Sequence, residues 1–150
     1  MAKQSAGAAS GEGLEALLAR RLREKGLRAT PDRMRIFRVL ARSAEPLTVR
    51  AVADRLRDDH LNITTVYRVM ELFVALGIVH PVIVGHEAVG YELMAPFRPH
   101  HEHFLCAKCG RVVDIYDCPF EEAVAALSRD AGYEVTFHQM EMHGVCQACR

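Results

Sequence analysis

The chain has 150 residues, half of them apolar, with 19 basic and 19 acidic side chains; that length suffices for one full core or two small ones. No apolar run approaches the ~20 residues that a membrane helix requires, and no charged-then-apolar leader opens the chain, so a membrane role is set aside and a cytoplasmic protein is expected. The neutral total hides an asymmetry, since residues 1–84 hold 14 Lys and Arg against 9 Asp and Glu, and residues 85–150 hold 5 against 10. A basic half can face a polyanion while an acidic, His-rich half holds cations; solvated surface charge is the plainer reading of the same counts.

Residues 1–13, rich in Ala, Gly and Ser, read as a disordered tail. Leu14, Leu17, Leu18 and Leu22 then recur at helical spacing, with a stop at Gly26. Thr30-Pro31 reads as an N-cap followed by proline at the first helical position, opening a second helix through Ile36, Phe37, Val39 and Leu40. A third helix should start near Thr48 and bury Val52 and Leu56. A fourth should start near Asn62, bury Val66, Val69, Phe73 and Leu76, and end at Gly77. The short link between the last two suits a helix-turn-helix. Ile78 to Val84 and Ala88 to Leu93 are β-rich around Gly85, which predicts a hairpin standing as a wing. The expected organisation is a winged-helix domain over residues 14–94, a hinge over 95–99 and a metal-binding domain over 100–150.

In a helix-turn-helix the second helix presents its N-terminal residues to base edges. Here those are Thr64, Thr65, Tyr67 and Arg68. The hydroxyls and the phenol reach bases or phosphates, Arg68 can clamp phosphate or guanine, and Arg28 or Arg33 can grip backbone nearby. An ordinary helical packing unit with a polar face is the competing reading.

Two Cys-x-x-Cys pairs, Cys106/Cys109 and Cys146/Cys149, bracket the last third of the chain. Four thiolates in two such knuckles suit a tetrahedral zinc site, and iron also accepts four thiolates. A redox dithiol accounts for one pair and leaves the other idle. Between the pairs, residues 111–115 read as a strand, Pro119 to Ala131 as a helix and Tyr133 to Val145 as a long strand. Cys118, before Pro119, reads as a semi-buried inert thiol, with a helix start that could lower its pKa as the alternative.

His100-His101-Glu102-His103 leads into Cys106 and should be extended, so its side chains alternate. His101 and His103 then share one face, with His80 and Glu92 of the hairpin as candidate partners. His100 and Glu102 share the other, with Glu121, His138 and Asp114 as candidates. Imidazole and carboxylate together suit Zn, Fe, Mn or Ni; a surface histidine patch is the bland alternative. His60, His86 and His143 read as ordinary surface histidines.

Gly26-Leu27-Arg28-Ala29-Thr30 with Arg33, Thr64-Thr65-Val66-Tyr67-Arg68, Tyr91-Glu92-Leu93, His100-His101-Glu102-His103, Cys106-Ala107-Lys108-Cys109-Gly110 and Gly144-Val145-Cys146-Gln147-Ala148-Cys149 resemble, in order and spacing, the ferric uptake regulator family of bacterial metal-sensing repressors. The resemblance runs from about Leu14 to Arg150. It implies an α+β chain: an N-terminal winged helix-turn-helix domain, then a small C-terminal α/β dimerisation domain with a structural zinc site. It further implies a homodimer that binds a palindromic double-stranded DNA operator when metal-loaded, with Tyr67 and Arg68 in the recognition helix and Arg28 near the minor groove. The four cysteines would hold structural Zn(II), and a second site would sense Fe(II) or Zn(II), with Mn(II) as a further candidate. Pro46 stands where iron-sensing members usually place a histidine, and proline cannot ligate. His80 lies where zinc-sensing relatives place an Asp ligand, which makes His80, Glu92, His101 and His103 the expected sensing set. The cysteine of zinc-sensing members near the hairpin's end is missing, with Leu93, Met94 and Ala95 in that region. A third family site matches His100, Glu102, Glu121 and His138.

The expectation is a metal-dependent repressor of metal-uptake genes with no catalytic residue and no small-molecule substrate. The alternatives are a peroxide sensor on the same fold using bound Fe(II), and a zinc hydrolase built on His101, His103 and Glu92.

Overall fold

The computed structural model describes residues 11–56, 61–84, 88–116, 118 and 120–150. His60, Gly85, His86, Pro119 and residues 1–10 of the expected tail lie outside the described residues. The chain forms two compact units, the first taking in the described residues up to Ile83 and Ala88–Pro99, the second Val84 and His100–Arg150.

Four helices build the first unit: α1 (Gly11–Glu24), α2 (Pro31–Ala41), α3 (Val49–Leu56) and α4 (Ile63–Ala75). Local chemistry sets their ends. Thr30 has extended backbone and its hydroxyl accepts from the Arg33 N–H at 3.5 Å, while Pro31 enters with its φ already suited to a helix. Asn62 Oδ1 accepts from the Thr64 N–H at 2.9 Å, and Thr48 Oγ1 from the Ala51 N–H at 3.1 Å, so α3 and α4 each start on a side-chain cap. After α1 and α4 the chain turns at Gly26 and Gly77, with φ of +70° and +61°, a region costly to any residue bearing a Cβ. α1 begins inside the stretch expected to be a tail, because a nucleated helix propagates easily by a further turn.

The apolar stripes meet in one core. Leu18 and Leu22 of α1, Ile36, Phe37 and Leu40 of α2, Val49 and Val52 of α3, and Val66, Val69, Met70 and Phe73 of α4 are buried together. Next come strands β1 (Val79–Val84) and β2 (Ala88–Leu93), paired as a two-stranded sheet. Leu47 and Tyr91 exchange both backbone hydrogen bonds at 2.9 Å, which ties β2 to the segment before α3. Residues 95–98, expected as part of a hinge, pack onto this unit. Phe97 meets Phe37 edge to face at 5.2 Å between ring centroids, and Arg98 Nη2 donates to the Ala44 carbonyl at 2.8 Å. Phe37 is fully buried, so Phe37→Ala is expected to destabilise the first unit by about 3–5 kcal/mol. Urea denaturation followed by far-UV circular dichroism measures this; a loss below about 1 kcal/mol would mean that the site collapses around the gap.

The second unit is a three-stranded sheet, ordered β4 (Val112–Ile115), β3 (Glu102–Cys106), β5 (Glu141–Gly144), with α5 (Glu121–Ala131) between β4 and β5. β3 runs antiparallel to β4 and parallel to β5. A parallel pair needs a long crossover, and α5 lies within it. The long strand expected over Tyr133 to Val145 is shorter than that, being confined to Glu141–Gly144. The reason is pairing: Glu141 of β5 stands opposite His103, and β3 starts only one residue earlier, at Glu102, so upstream of Met140 β3 offers no strand to pair with.

Candidate metal centres and nucleic-acid face

Cys106 ends β3, Cys109 follows in the next turn, and Cys146 and Cys149 frame a short 3-10 turn, Gln147–Cys149. The two knuckles are joined by backbone: the Ala107 N–H donates to the Gly144 carbonyl at 2.7 Å, and the Cys146 N–H donates to Cys106 Sγ at 3.3 Å. All four sulphurs lie within 4.8 Å of one another. Cys109 and Cys146 sulphurs are 3.8 Å apart, the edge of a tetrahedron with Zn–S bonds of about 2.3 Å. Backbone N–H groups of Cys146 and Cys109 hold the Cys106 thiol down at about 6. The neighbouring Cys146 and Cys109 sulphurs push Cys149 up to about 12. Crowded thiols cannot all ionise without a cation between them, so the donor set fits Zn(II), or iron, held by all four. A redox dithiol accounts for only half of this cluster.

β3 and the two residues leading into it divide the histidine run between two sides. On one side, His100 Nε2 and His138 Nε2 each lie 3.1 Å from Glu102 Oε1 and 3.0 Å from one another. Glu102 is fully buried, and its other oxygen accepts the Met140 N–H at 2.6 Å. Burial pushes this carboxyl up, but the Met140 N–H, the Cys118 thiol and the two imidazoles outweigh it, and its pKa is lowered. The fourth member of this group is Cys118, whose sulphur is 3.4 Å from His138 Nε2. Glu121 is exposed and is outside the group whose ligand atoms converge. Burial raises the Cys118 pKa, the reverse of the lowering that its place before a helix suggested. The single hint in the sequence was a cysteine left over after the two knuckles were formed.

On the other side, the His101 and His103 rings are 4.8 Å apart, both buried, with Asp114 Oδ1 at 3.9 and 3.7 Å. Asp114 was expected with His100 and Glu102. It stands on the opposite face because it pairs directly with His103 in the antiparallel ladder, and directly opposed residues project to the same side. In the first unit, His80 Nε2 lies 2.8 Å from Glu92 Oε1, and Arg98 Nη1 lies 3.4 Å from Glu92 Oε2. Glu92 is only 3 % exposed, and its buried carboxylate has the Arg98 guanidinium and the His80 ring beside it. His143 is an exposed side chain 3.9 Å from Glu141.

The helix-turn-helix presents its second helix, α4, with Thr64, Tyr67 and Arg68 exposed and Thr65 half-buried, while Val66 and Val69 on the opposite side hold it to the core. Arg28 is exposed, and Arg33 Nη1 donates to the Arg28 carbonyl at 2.5 Å, bracing the loop that carries Arg28. Exposed hydroxyl, phenol and guanidinium groups at a helix start can contact both base edges and phosphates.

Residues 24–143 match the Ferric uptake regulator family. The chain belongs to the ferric uptake regulator family. Among curated relatives, the peroxide-responsive repressor PerR of Staphylococcus aureus (strain Mu50 / ATCC 700699) is 32 % identical over 132 residues, covering 86 % of each chain. The Helicobacter pylori ferric uptake regulator, described as having three functional metal binding sites, superposes with a TM-score of 0.74 at 22 % identity over 95 % of each chain, which establishes the shared fold. A zinc uptake regulator solved with zinc and DNA is 25 % identical with a TM-score of 0.63, covering 94 % of this chain and 95 % of that one. Among the described residues, no helix of this family member is long and apolar enough to cross a membrane.

Proposed function

We propose that this chain is a metal-responsive transcriptional repressor: a cytoplasmic homodimer that binds a palindromic double-stranded operator when loaded with a divalent metal and controls metal-uptake genes. The observation that carries the reading is the double use of β3. β3 and the two residues before it turn His100 and Glu102 to one side and His101 and His103 to the other, and the strand then ends at Cys106 of the four-sulphur cluster. A chain that carries so many convergent donors in one unit and, in the other, a helix that exposes Thr64, Tyr67 and Arg68 is suited to reading both metal and DNA.

The four cysteines serve as the structural site. His101 and His103 from the second unit, with His80 and Glu92 from the first, serve as the sensing set. When bound, the metal supplies a positive centre that satisfies imidazole and carboxylate donors together. Within the first unit the Arg98 guanidinium and the His80 ring lie beside the Glu92 carboxylate, and recruiting Glu92 as a ligand exchanges the Arg98 contact for the metal. Drawing ligands from both units restricts their spacing to arrangements in which the α4 helices can enter successive major grooves, a population shift needing coupling of about 1–3 kcal/mol. Asp114 lies beside both imidazoles, where a carboxylate can help hold the rings in place for a metal.

Surface composition supports the homodimer. Tyr133, Val135 and Phe137 are 74 %, 44 % and 45 % exposed and recur at every second residue, the spacing of one face of an extended segment, with Leu127 of α5 also 68 % exposed. Apolar surface on this scale favours burial against a partner, here a second copy. A regulator is preferred over a zinc hydrolase because His101 and His103 are 7 % and 2 % exposed, whereas hydrolytic zinc needs a coordination position open to substrate.

The test uses a fluorescent duplex selected from a randomised pool by the metal-loaded protein. Binding is titrated with Zn(II), Fe(II) and Mn(II) at fixed salt, since salt alone shifts affinity. The expected result is inverted-repeat enrichment and an affinity rise of about 5–150-fold with one metal. Failure of every metal to enrich a duplex overturns the reading. The 32 % identity to a peroxide-responsive repressor favours one variant of it, in which bound Fe(II) makes His101 or His103 the site of oxidation. Oxygen addition to either residue after peroxide, with Fe(II) and not with Zn(II), is the outcome that selects this variant.

A further inference from the structure

His100, Glu102 and His138 form a triangle of ligand atoms with edges of 3.0, 3.1 and 3.1 Å. Mutual hydrogen bonding is a poor account of it. An imidazole Nε2 carries one hydrogen or one lone pair, directed along the ring plane, and serves two partners only with poor geometry. Both nitrogens here face each other and the same carboxylate oxygen. Three nearly equal edges are instead close to the separation of about 3.3–3.6 Å that ligand atoms about 2.0–2.2 Å from a tetrahedral cation adopt. A fourth donor is adjacent: Cys118 Sγ, 3.4 Å from His138 Nε2, is in the group whose atoms all lie within 4.8 Å of one another. The site is also built rather than incidental, since Glu102 is 0 % exposed and its second oxygen is held by the Met140 N–H at 2.6 Å.

We propose that Cys118, and not Glu121, completes this centre, making it a His2GluCys site that takes a zinc-like divalent cation through one thiolate. Four donors of mixed nitrogen, oxygen and sulphur match the tetrahedral preference of Zn(II) and Co(II). Replacing a carboxylate by a thiolate also shifts selectivity, because sulphur favours softer ions and Mn(II) prefers oxygen. Cys118 is therefore the residue that sets which metal this centre accepts. The inference stands on the second unit alone and does not depend on operator binding.

Cobalt provides the test, because Co(II) bound to thiolate shows a sulphur-to-metal charge-transfer band, and Co(II) bound only to nitrogen and oxygen does not. The full-length protein, with zinc in its four-cysteine site, is titrated with Co(II) to saturation. The expected band has about a quarter of the intensity seen when the same protein carries cobalt in the four-cysteine site, one thiolate against four. Cys118→Ser is expected to abolish the band and weaken uptake at this centre by on the order of 100-fold, while zinc in the four-cysteine site stays at one equivalent. Glu121→Gln is expected to leave the band unchanged. Three results overturn the proposal: saturation without a charge-transfer band, a band that survives Cys118→Ser, or loss of uptake in Glu121→Gln with Cys118→Ser unaffected. Cys118→Ala, with the four-cysteine zinc and far-UV circular dichroism checked first, supplies the same comparison if the serine variant misfolds.

Discussion

Cys106→Ser is expected to unfold the second unit. Among the described residues from His100 onward, the buried apolar side chains are Leu105 and Cys106, and α5 contributes none. So small an apolar core cannot offset the conformational entropy of ordering some 50 residues. The four-cysteine centre supplies much of the difference, alongside the apolar surface that a second copy would cover. Structural zinc contributes about 10–16 kcal/mol in small zinc-dependent peptides, comparable to the whole stability of an ordinary domain. A serine hydroxyl is not ionised near neutral pH and replaces a thiolate poorly. Cys106 is also the sulphur that accepts the Cys146 N–H at 3.3 Å, so its loss parts the two knuckles as well as the ligand set. Two measurements check this: bound zinc by mass spectrometry of the purified chain, expected to fall from this centre, and the melting transition of residues 100–150, expected to vanish. A Cys106→Ser protein that keeps one tightly bound zinc and wild-type melting would falsify the structural assignment.

His101→Ala is expected to leave the protein folded and deaf to metal. The ring is buried beside His103 and Tyr116, with centroids at 4.8 and 5.3 Å, and Asp114 orients it from the paired strand. Removing it takes one imidazole from the proposed sensing set and leaves all four cysteines in place. Operator affinity with metal should drop to the metal-free value, a loss of about 5–150-fold, the full coupling between the two ligands. Affinity without metal should not change. Fluorescence anisotropy across a metal titration, with zinc content and far-UV circular dichroism as controls, provides the readout. Wild-type metal response in this variant would remove His101 from the sensing site; loss of bound zinc together with helical signal would make it a structural residue.

Much of the architecture was legible in the sequence because it depends on neighbours a few residues apart. Thr30 with Pro31, and Asn62 before Ile63, cap helices through bonds spanning two or three residues. Leu18, Leu22, Phe37, Val52, Val66 and Phe73 recur at helical spacing and do form the core. Each Cys-x-x-Cys knuckle is a local turn, and the alternation of His100, His101, Glu102 and His103 is a property of any extended chain.

Other features were settled only by residues brought from far away. Asp114 takes its face from the register of β4 on β3, which a shift of one residue would invert. The strand expected from Tyr133 shortened to Glu141–Gly144 because its length depends on where β3 begins. Phe97 and Arg98 joined the first unit through contacts with Phe37 and Ala44, more than 50 positions earlier in each case. Cys118 reached His138 across 20 residues of chain, while Glu121, three residues further on, stayed in solvent. Sequence by itself determined which elements form and which side chains share a face, since those follow from backbone periodicity. Tertiary structure decided which faces meet, and so which donor atoms lie together, because packing and register, not spacing along the chain, fix distances between atoms.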